Sequence, residues 1–154
     1  MVDLEYALNQ LIGTHEKICD QLYDVAPYQD WRPQPSEWSF RLIGAHLAKV
    51  EQESYLLQLD GMLMGRDQTY SQYWNSESEL GRPELTESIV LWKERRRKLV
   101  ERLKMLGPNQ IGLSVKHDVY GEMTAGRLVE VVLNHDSDHL SHLTKIYKQF
   151  EAED

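Results

Sequence analysis

The chain has 154 residues, a length that suits a single domain over residues 1–154. Its 25 acidic and 17 basic residues give a formal charge of −8, which argues against general affinity for nucleic-acid phosphates or anionic membranes. The single cysteine, Cys19, excludes an intramolecular disulfide and a cysteine-rich zinc site. No secretory signal or long apolar run is visible, so we expect a cytoplasmic protein without a membrane partner.

Apolar residues recur with helical spacing in four segments, and these predict four amphipathic helices. The predicted helices cover residues 2–25, 39–65, 84–106 and 124–150. Ser39 is a good N-cap for the second helix, and Thr124 marks the start of the fourth. The buried face of the second helix is predicted to carry Leu42, His46, Lys49 or Val50, Glu53, and Leu56 or Leu57.

Two long connections separate these helices. Residues 66–82 are polar and rich in tyrosine, and they are too numerous for a tight helical hairpin. Residues 109–123 form a second irregular link, in which only 111–119 could pair briefly as a strand. The pattern therefore predicts an all-α protein, a four-helix bundle with long crossover connections.

Five of the six histidines lie on apolar faces of these helices, which is unusual because each buried imidazole needs partners for its nitrogens. His135 and His139 are four residues apart, so they project from consecutive turns and can share one metal ion. His46 on the second helix is placed to supply a third ligand. Three neutral imidazoles would leave a coordination position open, as in catalytic sites.

Other polar residues on these faces allow more than one interpretation. His142 could compete as a ligand, but we expect it to lie behind the ligands or to line the pocket. Asp136 and Asp138 could orient imidazoles, although a solvated helix face is favoured. Arg96 could bind an anionic ligand, pair with Glu53 or extend past the edge of the bundle.

Two further residues are expected to be structural. His15 is interpreted as part of a core layer of the first helix. Cys19, one turn further on, is expected to be a packed and unreactive thiol, because nothing nearby indicates the electropositive and accessible setting of a nucleophile.

Three sequence elements together resemble the DinB/YfiT-like family. Residues 38–47, WSFRLIGAHL, followed by Glu51, resemble its "WS…HL…E" element. Residues 134–140, NHDSDHL, are similar to its closing "H-D/E-x-x-H-L" element, and residues 121–124 fit the turn before its last helix. Each motif is short, but their order and spacing cover essentially the whole chain.

The resemblance implies a four-helix bundle with up-down-down-up topology and frequent homodimerisation. It also implies a divalent metal, zinc or nickel, held here by His46, His135 and His139. One departure is His142, which stands where the family often has glutamine.

Three functions are compatible with these residues. The first is a metal-dependent enzyme acting on a small molecule, either a hydrolase or a thiol S-transferase using a low-molecular-weight thiol. The family resemblance implies both possibilities, since it includes transferases that use bacillithiol or mycothiol. The second is a non-catalytic, stress-related bundle with a vestigial or structural metal site. The third is a metal-free interaction module whose histidines form hydrogen-bonded core layers.

Overall fold

The computed structural model describes residues 3–153, and helices dominate it. In chain order the helices are α1 (Leu4–Asp24), α2 (Phe40–Val50), α3 (Leu56–Met64), α4 (Glu77–Leu80), α5 (Leu85–Lys104) and α6 (Ala125–Ala152). A 3₁₀ turn follows α1 at Ala26–Tyr28, and a π-helical turn at Glu51–Tyr55 joins α2 and α3 into one continuous rod. Four long helical units result, as the sequence predicts.

The direction of each helix follows from the residues that share a core. One apolar cluster joins the start of α1, α3, the end of α5 and the start of α6, represented by Leu8, Leu59, Leu103 and Leu128. The second joins the end of α1, α2, the start of α5 and the end of α6, represented by Leu22, Phe40, Ile89 and Ile146. Helices α1 and α6 therefore run in one direction and α2–α3 and α5 in the other. This is the up-down-down-up bundle expected from the family resemblance.

Local capping explains where the long helices begin and end. The Ser39 side chain accepts a hydrogen bond from the Leu42 amide, and Thr124 caps α6 in the same way. Gly65 ends α3 with a φ of 65°, a conformation that glycine adopts without a Cβ clash. The predicted helix starts at Ser39 and Thr124 are confirmed, whereas the predicted start at Val2 lies outside the described residues.

The π turn changes which residues of the second helical rod are buried. The expected face included Glu53 and either Leu56 or Leu57. Leu56 is buried, but Glu53 and Leu57 are exposed, and the residues that follow them, Ser54 and Gln58, are buried instead. A π turn contains one residue more than an α turn, so every side chain beyond it is rotated by one position. The prediction assumed an uninterrupted 3.6-residue period, and it was wrong for Glu53 and for the Leu57 alternative.

A small sheet covers one end of the bundle. Strand β1 (Thr69–Tyr70) pairs in parallel with β2 (Ser114–His117), and β2 pairs antiparallel with β3 (Gly121–Thr124). Gly121 opens β3 with a φ of 74°, which closes the tight connection from β2. Of these three strands, only β2 lies within residues 111–119, the segment that the sequence predicted could pair briefly as a strand. The sheet leads directly into α6 and connects both long loops.

Candidate metal centre

Three histidine side chains from two helices converge between α2 and α6. His46 belongs to α2, whereas His135 and His139 lie one turn apart on α6. One ring nitrogen from each lies within 4.8 Å of the other two. The Nε2 atoms of His135 and His139 are 2.9 Å apart, close to the roughly 3.3 Å between two nitrogens bound tetrahedrally to one zinc ion.

Two of the imidazoles are held through their other nitrogen. His46 Nδ1 lies 2.9 Å from the Asn75 side-chain oxygen, so Nδ1 donates its hydrogen there and Nε2 keeps its lone pair. His135 Nδ1 lies 2.6 Å from the hydroxyl of Tyr55. Such second hydrogen bonds fix the ring orientation of histidines that bind metals.

Burial keeps these imidazoles neutral. It lowers the pKa of His135 to about 4, and the neighbouring His46 and Arg96 add to this shift. Burial and the adjacent histidines lower the pKa of His139 to about 3. Burial also lowers the pKa of His46, although its hydrogen bond to Asn75 opposes the change. Neutral imidazole is the form that binds zinc, nickel and related metals, so the donor set fits a divalent ion.

A cavity of about 530 Å³ opens beside this centre. Its size falls within the range of small-molecule sites. His46 and His135 form part of its wall, next to aromatic side chains from the segment before α2, the π turn, the first long loop and the β2–β3 turn. The aromatic lining residues are Trp38, Tyr55, Tyr73, Trp74 and Tyr120.

Arg96 lies outside this cavity lining and forms a buried ion network. Its guanidinium donates to Glu51 at 2.7 and 2.9 Å and to Asp136 at 2.6 and 3.1 Å. Burial acts to lower the pKa of Arg96, but the two carboxylates outweigh it and raise that pKa well above its ordinary value. With both sides of the guanidinium occupied, the expectations of an anion-binding Arg96 or a pair with Glu53 were wrong.

The two aspartates of α6 have separate environments. Asp136 is fully buried on Arg96, so the prediction of a solvated side chain was wrong for this residue. Asp138 is exposed, as predicted, and it also lines the cavity. His142 is exposed on α6 and is not among the cavity-lining residues, so the expectation that it lines the pocket was wrong. Its position behind the ligands stays a prediction.

His15 and Cys19 belong to the core, as expected. The His15 ring packs edge-on against Trp92 at a centroid distance of 4.2 Å, and its Nε2 lies 3.6 Å from the Cys19 sulfur. Burial lowers the pKa of His15 to about 3 and raises the pKa of the Cys19 thiol to about 12. Neither group reaches the cavity.

Tyr55 and Asn75 are the residues of the site that sequence reasoning missed. Tyr55 lies within the π turn, where a regular helical period gives the wrong face. Asn75 comes from an irregular loop, and the only available signal was its position directly after the aromatic pair Tyr73 and Trp74.

The fold and the three convergent imidazoles define a helical-bundle protein with a histidine site suited to a metal. The family model described as the DinB superfamily matches residues 28–143, and the chain belongs to this superfamily. The structure is similar to that of YfiT from Bacillus subtilis, which is described as a probable metal-dependent hydrolase with an unusual four-helix bundle topology. The TM-score is 0.80 at 16% identity, over 98% of this chain and 90% of that chain. No curated protein matches the chain.

Proposed function

We propose that this protein is a metal-dependent enzyme that acts on a small molecule, with His46, His135 and His139 as the metal ligands. The observation that carries the proposal is the convergence of three neutral imidazoles beside an open cavity of small-molecule size. The metal-binding cluster contains three members among residues 3–153, and a three-ligand set supports a catalytic site rather than a closed structural one.

The proposed reaction is hydrolysis or transfer to a low-molecular-weight thiol, and zinc or nickel is the proposed metal. Either ion, when bound, would polarise a substrate oxygen or lower the pKa of a coordinated water or thiol. The description of YfiT as a probable metal-dependent hydrolase supports the hydrolytic alternative.

The chain's own residues position the ligands and enclose the substrate. Tyr55 and Asn75 orient the rings of His135 and His46, and Tyr73 in turn receives a hydrogen bond from the Asn75 amide. The aromatic side chains supply apolar surface beside these histidines on which a substrate can pack. Asp138 is the carboxylate that lines this cavity among the described residues, and we propose that it accepts a proton during the reaction.

Metal content measured by mass spectrometry on tag-free protein tests the ligand set. We expect about one zinc or nickel per chain in the wild type and loss of the metal in the His135→Ala and His46→Ala variants. His142→Ala is the matched control, because this histidine lies three residues beyond His139 on the same helix but is exposed. Equal occupancy in all variants would refute the ligand assignment.

Activity screens of the loaded protein then separate the reactions. A panel of esters and amides tests hydrolysis, and an electrophile with bacillithiol or mycothiol tests thiol transfer. We expect the activity to disappear in His135→Ala and to persist in His142→Ala. Stoichiometric metal without activity in either panel would favour the non-catalytic metal-binding bundle.

Two further properties of the chain stay predictions. A homodimer is expected from the family resemblance, and light scattering in solution tests it. Cytoplasmic location is tested by fractionation. None of the helices between residues 3 and 153 has the length and hydropathy that a membrane span requires.

A further inference from the structure

One buried polar atom in the cavity wall has no hydrogen-bond partner. Gln58 is only 3% exposed, and its side-chain oxygen Oε1 accepts no hydrogen bond from the described residues. Its amide nitrogen donates to the Ser54 hydroxyl at 3.1 Å, which fixes the side chain in place. Both residues line the cavity. A buried carbonyl without a partner is costly and uncommon, so its retention requires an explanation.

The other buried polar groups of the cavity already have partners. Asn75 bonds to His46, and Tyr55 bonds to His135. In the described part of the chain, the two other orphaned side-chain atoms belong to Gln21 and Tyr70, and neither residue lines the cavity. Among these three residues with an orphaned atom, Gln58 is therefore the one that lines the cavity.

Ser54 and Gln58 together offer a donor and an acceptor side by side. The Ser54 hydroxyl accepts from Gln58, and its own hydrogen has no acceptor within residues 3–153, so it is available for donation. Gln58 Oε1 is an acceptor. A carboxamide has the complementary pair, a carbonyl oxygen that accepts and an N–H that donates.

The surroundings favour a neutral group over a charged one. Val50, Met123 and Val131 line the same cavity, and Met123 is fully buried. An ionised group would lose its hydration there without a counter-charge from Ser54 or Gln58. Arg127 also lines the cavity, but it is exposed and its guanidinium is already paired with Glu130 at 3.0 Å. Gln58 lies twelve residues beyond His46 on the same helical rod, a rise of about 18 Å. The group recognised here therefore lies further along the cavity from His46, beyond the Tyr55 hydroxyl that contacts His135.

We propose that Ser54 and Gln58 form a carboxamide-binding subsite, so that the substrate carries a neutral amide distant from its reacting group. This assignment of substrate class rests on the proposed function, because it assumes that the cavity holds the substrate of the metal centre. Gln58 is then a specificity-determining residue, and its orphaned oxygen is satisfied when the substrate binds.

Binding of three similar probes tests the subsite by NMR titration of zinc-loaded and metal-free protein. Benzamide carries both hydrogen-bonding groups, acetophenone keeps only the acceptor and benzoate is charged. We expect benzamide to bind about fivefold more tightly than acetophenone, the effect of one net hydrogen bond. Gln58→Met should reduce this preference to less than about twofold. Gln72→Met is the matched control, because Gln72 lines the same cavity but is exposed.

A stability measurement separates recognition from a structural role. Gln58→Met should leave the melting temperature unchanged or raise it, because methionine removes the orphaned atom at similar volume. A fall of more than about 4 °C would indicate a structural role and overturn the proposal. Three binding results would also overturn the proposal. The first is a preference for benzamide over acetophenone that persists in Gln58→Met. The others are a wild type that lacks this preference and a wild type that does not bind benzamide.

The same titrations distinguish the two proposals. If the wild type binds no zinc but shows the Gln58-dependent preference, the proposed metal enzyme fails and the subsite stands. If zinc binds through the three histidines but the preference is absent, the subsite fails and the metal centre stands.

Discussion

Replacing Arg96 with methionine tests whether the buried ion network holds the bundle together. The arginine makes four hydrogen bonds to two carboxylates, and the side chains of Glu51, Arg96 and Asp136 are between 0 and 3% exposed. Arg96→Met leaves both carboxylates buried without their counter-charge. Breaking one buried ion pair costs about 3–5 kcal/mol, a large fraction of the roughly 5–15 kcal/mol that stabilises a domain.

The assay is thermal and urea unfolding of Arg96→Met beside Arg97→Met. For a chain of this length, a loss of 3–5 kcal/mol lowers the melting temperature by about 6–20 °C. Arg97 is the next residue on the same helix and also contacts two carboxylates, but its side chain is 53% exposed. Exposed pairs contribute about 0–1 kcal/mol. Equal destabilisation by the two variants would refute the reasoning.

The pH dependence gives an independent check of the same variant. Burial raises the pKa of Glu51, and the contact with Arg96 opposes that shift. Removing Arg96 raises the folded-state pKa further above the unfolded value, so the variant loses stability as the pH rises and recovers on acidification. We expect the difference in unfolding free energy between the wild type and Arg96→Met to be smaller at pH 5 than at pH 8. If Arg96→Met does not fold, Asp136→Asn reports on the same network.

Three further predictions follow from single contacts. Tyr55→Phe removes the hydroxyl that holds His135 and should weaken zinc binding about 10- to 100-fold in a chelator competition; unchanged affinity would contradict the orienting role. Cys19, 1% exposed with its thiol pKa raised to about 12, should react with a thiol reagent at pH 8 only after denaturation. Gly61→Ala places a methyl group against the Tyr70 hydroxyl and should cost about 1–3 kcal/mol of unfolding free energy, much of it recovered by adding Tyr70→Phe.

The bundle could be predicted because its signals are local. Ser39 and Thr124 cap helices through contacts within three residues, and the apolar periodicity of α1 and α6 needs no knowledge of the rest of the chain. The histidine spacing on α6 is equally local, and the structure brings His46 to the same point. The strands were harder to predict, because β1 has two residues and pairs with a segment more than forty residues away.

The ion network shows why buried charges were assigned wrongly. Arg96 and Asp136 lie forty residues apart on different helices, and neither sequence neighbourhood indicates the other. Taken singly, a charged side chain is expected in solvent, because burial without a partner is costly. Only the packing of α5 against α6 and the π turn brings three complementary charges together.

The π turn links the proposed metal centre to the proposed amide subsite. In an uninterrupted α-helix, a residue twelve positions after His46 would lie about 120° away around the axis, on a different face. One extra residue in the turn rotates the following segment back by about 100°, which returns Ser54 and Gln58 to the side of His46. Within the same turn, Glu51 is directed to Arg96 and Tyr55 to His135. A single irregular turn thus orients a histidine of the proposed metal site, anchors the core and extends the cavity along the helix. This explains why its residues carry the contacts that a regular period did not predict.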